Sequence, residues 1–209
     1  SDLTLPCIAG HVGADAAGAT LAEGPYRQDR MMLLVDVGTN AEIVLGNRQR
    51  VVAASSPTGP AFEGAEISSG QRAAPGAIER VRIDAQTLEP KFRVIGVDKW
   101  SDEEGFAEQA ASVGVTGICG SAIIEVVAEM YLAGLISEDG VVDGSMAERS
   151  PRVLQNGRTF SYLLHDGEQR ITVTQNDIRA IQLAKSALYA GIKLRMEKQG
   201  VDHVDTIRF

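Results

Sequence analysis

A chain of 209 residues, 44% hydrophobic and 5% aromatic, is long enough for one large domain or two small ones and can build a substantial core. Lys and Arg number 20 against 28 Asp and Glu, a formal charge of −8 that repels nucleic-acid phosphates and anionic lipid, so neither is an expected partner. No stretch reaches the roughly 20 apolar residues of a bilayer span and the first residues lack the order of a signal peptide, so a soluble, cytoplasmic protein is expected.

Both ends read as cut. Ser1 stands where an initiator Met is expected, and residues 204–209 form an apolar-rich stretch resembling a strand that stops short, so an excised piece of a larger protein is expected. Residues 5–24, dense in Ala and Gly, suit a short strand or turn and then a tightly packed helix over Ala14 to Ala22. Met31 to Val35, the break Asp36 to Asn40, and Glu42 to Leu45 read as a buried strand, a tight turn and a paired strand, with a third strand at Val51 to Ala54. Ser55 to Gly76 is a glycine-rich connection long enough to suggest function. Strands follow at Glu79 to Ile83 and Phe92 to Val97, and Asp98 to Glu108 is an acidic loop or marginal helix.

After the glycine-punctuated Gly114 to Gly120, residues Ile123, Ile124, Val127, Met130 and Tyr131 mark one face of a helix over Ser121 to Leu135, stopped near Gly134. Short strands are expected at Arg152 to Leu154, Phe160 to Leu164 and Ile171 to Val173, the last two joined by Asp166-Gly167. Thr174 and Asp177 resemble a capping box for a helix that runs to Gly200 with Ile178, Ile181, Leu188, Ile192 and Met196 on one face. A strand meander followed by helices fits an α/β layer architecture better than a bundle or a sandwich.

The most specific local feature is Asp36-Val37-Gly38-Thr39-Asn40 between apolar strands. Gly38 in a tight turn lets successive backbone N–H groups face one concavity that holds a phosphate oxygen, Thr39 and Asn40 add side-chain donors, and Asp36 is suited to Mg²⁺ or its water shell. A plain hairpin built from good turn formers explains the same residues about as well. Cys7 and Cys119, the 2 cysteines, are too few for a zinc or iron–sulfur site, so any cluster lies outside this chain.

This hairpin resembles the phosphate loop of the ATPase superfamily of acetate and sugar kinases, heat-shock chaperones and actin. A wider series is more particular: Leu5 to Asp15, then the hairpin, Thr58 to Ala65, Gly70 to Ile78, Gly117 to Ser121, and Gln175 to Arg179 with Ala184 and Lys185. In that order, over nearly the whole chain, they resemble the ATPase domain of the ATP-dependent reductive activators of corrinoid proteins. The resemblance implies an actin-like, ribonuclease H-like half with a mixed sheet, a strand meander and flanking helices. It implies a parent protein with a plant-type [2Fe–2S] domain, absent from this chain, that passes an electron to cob(II)alamin on a corrinoid protein of a methyltransferase system. ATP with Mg²⁺ drives the step to cob(I)alamin. The chain is then one partial domain over residues 1–209, holding the second phosphate hairpin at 31–46. The first hairpin is expected upstream and the adenosine motif downstream, so the isolated chain is expected to be inactive. A homodimer is left open.

On matching positions the resemblance makes Asp36 and Asp15 the candidate catalytic and magnesium residues. Asp15 is equally read as a helix cap. Candidate nucleotide contacts are Gly38, Thr39, Asn40, Arg72, Gly117, Gly120, Ser121 and Lys185. Arg72 reads as a phosphate or carboxylate ligand or as a solvated side chain. Gly117, Gly120 and Ser121 read as an anion-binding helix start or a structural one, and Lys185 as a nucleotide contact or a surface lysine. His11, His165 and His203 form no ligand set, Cys119 is a small buried residue, and Trp100 contacts a partner or caps a core edge. A small-molecule kinase of the same superfamily and a docking module for a corrinoid protein are the competing readings.

Overall fold

The computed structural model describes residues 5, 7 and 12–208. In chain order the elements are α1 (Ala14–Glu23), β1 (Met32–Val37), β2 (Ala41–Gly46), β3 (Val51–Ser56), β4 (Ala77–Ile83), β5 (Pro90–Val94), α2 (Phe106–Ala110), β6 (Gly117–Ile118), α3 (Gly120–Leu132), β7 (Val153–Asn156), β8 (Thr159–Asp166), β9 (Arg170–Thr174), α4 (Gln175–Gln199) and β10 (Thr206–Arg208). They fall into two compact units, Ser1–Gly59 with Leu183–Phe209, and Pro60–Gln182. None of the described helices is long and apolar enough to cross a membrane.

In the first unit the apolar run of β1 is buried from Met32 to Val35, as a continuous hydrophobic strand should be. Asp36 and Val37 continue the strand and Ala41 opens β2, so the turn is confined to Gly38–Asn40 and is tighter than the sequence suggested. The sheet order is β10-β1-β2-β3, with β2 antiparallel to both neighbours. The C-terminal stretch is a strand, as expected; its parallel pairing with β1, Met32 opposite Thr206, had no local signal. Leu33, Val35, Ala41, Ile43 and Leu45 form the core, covered by Leu188, Ile192 and Met196 of α4. A Cβ at Gly191 would come within 2.8 Å of Ile43 Cδ1, so glycine is what lets α4 lie this close to the sheet. The helix expected over Ala14 to Ala22 is α1, which ends at Gly24 in the left-handed conformation. The strand or turn expected ahead of it lies almost wholly outside the described residues.

In the second unit one sheet has the order β5-β4-β6 and the other β7-β8-β9. β6, missed in the glycine-punctuated segment, pairs with β4 only at Ala77 and Ile78. Beyond that point β4 is an edge, and α3 caps it: the Val81 amide donates to Glu125 (2.7 Å) and the Ile83 amide to Glu129 (2.9 Å). Burial by itself raises the Glu125 carboxyl, but bonds from Arg82, the Val81 amide and Arg80 outweigh it and hold the group below the usual carboxylate range. These edge bonds also set the rotation of α3. Its buried face is Ala122, Ile123, Val126 and Met130, whereas Ile124 and Tyr131, expected inward, are about half exposed. The Tyr162 hydroxyl, deep in the core, donates to the carbonyl of Leu88, which has a left-handed backbone (φ 61°).

The capping box at the start of α4 forms as expected. Thr174 N donates to Asp177 Oδ2 (2.7 Å) and Asp177 N to Thr174 Oγ1 (3.2 Å). Asp177 is buried, and its Oδ1 also accepts from Ser68 N (2.7 Å) and Ser68 Oγ (2.9 Å), tying the glycine-rich loop to the helix. Replacing Asp177 by Ala strands the Ser68 and Thr174 amides, so a loss of about 3 kcal/mol is expected by denaturant unfolding. His165 packs edge-on against Phe92 (5.5 Å between centroids), and burial pushes its pKa below the ordinary value. The folded state therefore binds fewer protons than the unfolded one, and this contribution to stability, present above about pH 6.5, is lost as pH falls below it. Melting temperatures between neutral and mildly acidic pH should fall less for His165→Gln than for the natural protein.

Candidate functional site

In the first unit Asp36, Gly38, Thr39 and Asn40 lie on the hairpin, and Asp15 is close enough to act on Glu42 of its second strand. The Gly38 amide donates across the turn to the Asn40 carbonyl (3.1 Å), so it is spent on closing the loop. The half-turn is fixed from below by Thr58, a buried residue just past β3, whose hydroxyl lies 2.9 Å from the Gly38 carbonyl and 3.2 Å from the Thr39 carbonyl. In a trans peptide the N–H points opposite the C=O of the same unit. With both carbonyls aimed at Thr58, the Thr39 and Asn40 amides are directed together to the other side. The successive N–H groups of the hairpin are thus those of Thr39 and Asn40, both exposed residues.

Asp36, in β1, stands directly opposite Glu42 in β2. Two like charges in a cross-strand pair oppose folding. Glu42 was not singled out by sequence; its pairing with Asp36 follows from the hairpin register. Burial raises the Glu42 carboxyl above its ordinary range, a bond from Ser55 opposes this, and the charges of Asp15 and Asp36 add to it. Asp15 lies in the first turn of α1. It is not the cap, because that position belongs to Gly13, and its Oδ1 accepts from the Ala16 amide (2.8 Å). Among the described residues no Lys, Arg or His pairs with Asp15, Asp36 or Glu42, and no three His, Cys, Asp or Glu side chains form a closed metal cage. Lys185, on α4, is exposed.

The remaining candidates lie in the second unit. Arg72, Gly120 and Ser121 line a cavity of about 460 Å³ with Phe62, Glu63, Ala73 and Cys119. The glycines have packing reasons: a Cβ at Gly117 would sit 2.7 Å from Gln71 Oε1, and one at Gly120 would strike the Phe62 carbonyl. Ser121 donates to the Glu79 carbonyl (2.9 Å), and Cys119, buried as expected, precedes the first turn of α3. Gly117 is not among the residues lining this cavity. His203 is exposed, His165 is a half-buried residue of the second unit, and His11 lies outside the described residues.

A family model described as the C-terminal domain of RACo, the ASKHA domain, matches residues 30–209. The chain is 33% identical over 211 residues to the corrinoid activation enzyme RamQ of Eubacterium limosum, covering 96% of this chain and 32% of that protein. It is 30% identical over 209 residues to the [Co(II) methylated amine-specific corrinoid protein] reductase of Methanosarcina barkeri, covering 96% and 35%. A solved structure of a reductive activator for corrinoid, iron–sulfur protein matches 97% of this chain and 31% of its own, with a TM-score of 0.80 at 30% identity. The chain thus spans about a third of the length of these relatives. With the strand meander, the β1–β2 hairpin and the covering helix in place, the chain belongs to the RACo C-terminal ASKHA family and has its actin-like α/β fold.

Proposed function

We propose that this chain is the part of an ATPase carrying the second phosphate hairpin, in a longer cytoplasmic protein that reduces cob(II)alamin to cob(I)alamin on a corrinoid protein of a methyltransferase system. The observation that carries this reading is the Thr58-anchored hairpin, which turns the Thr39 and Asn40 amides outward beside Asp15, Asp36 and Glu42. Amides and carboxylates side by side suit a ligand that is itself an anion with a cation. The names of the relatives supply the corrinoid partner.

The residues fit a nucleotide-borne magnesium ion. Mg²⁺ is commonly held by one or two carboxylates together with phosphate oxygens and waters, and so needs no closed protein cage. Asp36 and Asp15 would hold it, with Glu42 adding charge beside them. Gly38 has no positive φ, so the turn does not itself require glycine there, and a bare backbone suits close approach of a phosphate. A magnesium ion held there would supply positive charge against the phosphates and against the charge that develops on phosphoryl transfer. The Thr39 and Asn40 amides orient the phosphate, and Thr58 keeps them from turning away. Arg72 and the start of α3, in the second unit, and Lys185 are further candidate nucleotide contacts.

The 2 cysteines of this chain, one exposed and one buried, do not fit an iron–sulfur cluster. A [2Fe–2S] cluster is therefore proposed for the remainder of the longer protein. There Asp36→Asn is expected to lower ATP-dependent cob(I)alamin formation, followed by visible absorbance, by ~10²–10³ with the fold intact by circular dichroism. ATP hydrolysis should fall with it, while reduction by a strong artificial reductant persists. Full activity in the variant would leave Asp36 a turn former and sink the reading. Glu42→Gln separates site from scaffold in the same experiment. Relief of the like-charge pair should raise unfolding stability by about 0.5 kcal/mol while ATP turnover falls.

A further inference from the structure

The two faces of the hairpin formed by β4 and β5 differ sharply. Val81, Ile83 and Phe92 point into the core of the second unit, and the alternate positions are Arg80, Arg82, Lys91 and Arg93. The register sets Arg80 directly opposite Arg93 and Arg82 directly opposite Lys91, so both outward cross-strand pairs join like charges. Such pairs oppose folding. Trp100 pairs with Arg93 at the open edge of β5 and shares its face, and the Lys91 ammonium lies 5.5 Å from the centre of its ring. Four cations and a tryptophan therefore share one sheet face of a chain whose formal charge is −8.

Internal partners account for only part of this charge. Glu125 takes Arg80 and Arg82. Among the described residues the carboxylate that Lys91 pairs with is Asp102, at 3.6 Å between two well-exposed side chains, a pair worth little in water. Arg93 has no carboxylate partner among the described residues, and its Nε is buried without a hydrogen bond. Arginine and tryptophan are the side chains that most often dominate protein interfaces, and a half-buried guanidinium without an ion pair in its own chain attracts a carboxylate.

We propose that the outer face of β4 and β5, centred on Arg93, Lys91 and Trp100, is a docking surface for a carboxylate-rich face of a protein partner. The negative charge of the rest of the chain disfavours a nucleic acid, and the complementary surface is acidic protein. That the partner is the corrinoid protein rests on the function proposed above; the chemistry of the face does not.

The test compares the full-length protein with its Lys91→Gln/Arg93→Gln variant in association with the corrinoid protein at low and high ionic strength. The variant should associate about tenfold more slowly at low salt and lose most of its salt dependence, with melting temperature and ATP turnover unchanged. If the double variant melts early, Lys91→Gln alone carries the test with a smaller fall. Equal association rates and equal salt dependence would overturn the proposal. So would loss of duplex-DNA binding or of self-association in the variant while corrinoid-protein binding stays intact. If the natural protein does not bind the corrinoid protein at all, the functional reading fails separately. Poly-L-glutamate then decides the face: binding that the variant loses supports it, and equal binding overturns it.

Discussion

The register between β1 and β2 is the constraint on which the first unit depends. With Leu33 opposite Leu45 and Val35 opposite Ile43, the large side chains of both strands meet α4 on one face. The same register sets Asp36 opposite Glu42 and leaves Gly38–Asn40 for the turn. A slip of one residue would carry the large side chains of one strand to the opposite face of the sheet, away from α4, and separate the two carboxylates at once. Fold and candidate site are therefore one specification here, which is why a costly acidic pair persists beside an ordinary hydrophobic core. Thr58 extends that coupling past β3, because its buried hydroxyl finds its acceptors only when the turn carbonyls face it.

The second unit is held by carboxylates used as backbone acceptors. Asp177 caps the start of α4 and grips Ser68, while Glu125 and Glu129 end the open edge of β4. In each case a helix-borne acid satisfies amides that the sheets and loops leave over. A buried amide without a partner costs about 1–3 kcal/mol, more than a neutral hydrogen bond returns, so these acids matter chiefly for the penalty they remove. They also fix geometry. Glu125 and Glu129 lie four residues apart on α3, and binding two amides of one strand leaves that helix a single rotation.

What was legible in the sequence was local. Thr174 and Asp177 are three residues apart and cap one helix; Gly134 and Gly200 stop theirs with left-handed backbones; the hairpin shows in a run of apolar residues around a turn. What was not legible depends on partners distant in the chain. β6 is too short to show periodicity and exists because β4 offers it an edge, and β10 becomes a parallel strand only beside β1. The inward face of α3 was misread because Ile124 and Tyr131 carry the hydrophobicity, whereas the edge of β4 decides the rotation. Within the site, Asp36, Gly38, Thr39 and Asn40 were visible as a motif. Glu42 and Thr58 act through a cross-strand register and a hydrogen bond from beyond β3, which no spacing rule encodes.

Like-charge pairs across a strand occur in both units, and how each is offset separates their meanings. Arg80 and Arg82 have Glu125 and Glu129 within reach, so most of their mutual repulsion is absorbed inside the chain and edge capping is reason enough for them. In the Asp36 and Glu42 pair, Glu42 alone receives a hydroxyl from Ser55 and also feels the added charge of Asp15, with no cation paired to either among the described residues. Selection for stability alone would replace one of that pair by a neutral residue. The magnesium site proposed above would offset such a pair, because a positive ligand that binds the folded chain returns the lost stability in proportion to its occupancy. Arg93 poses the converse case, a cation left over after the internal acids are spent, and by the same reasoning its complement is an acidic surface outside the chain.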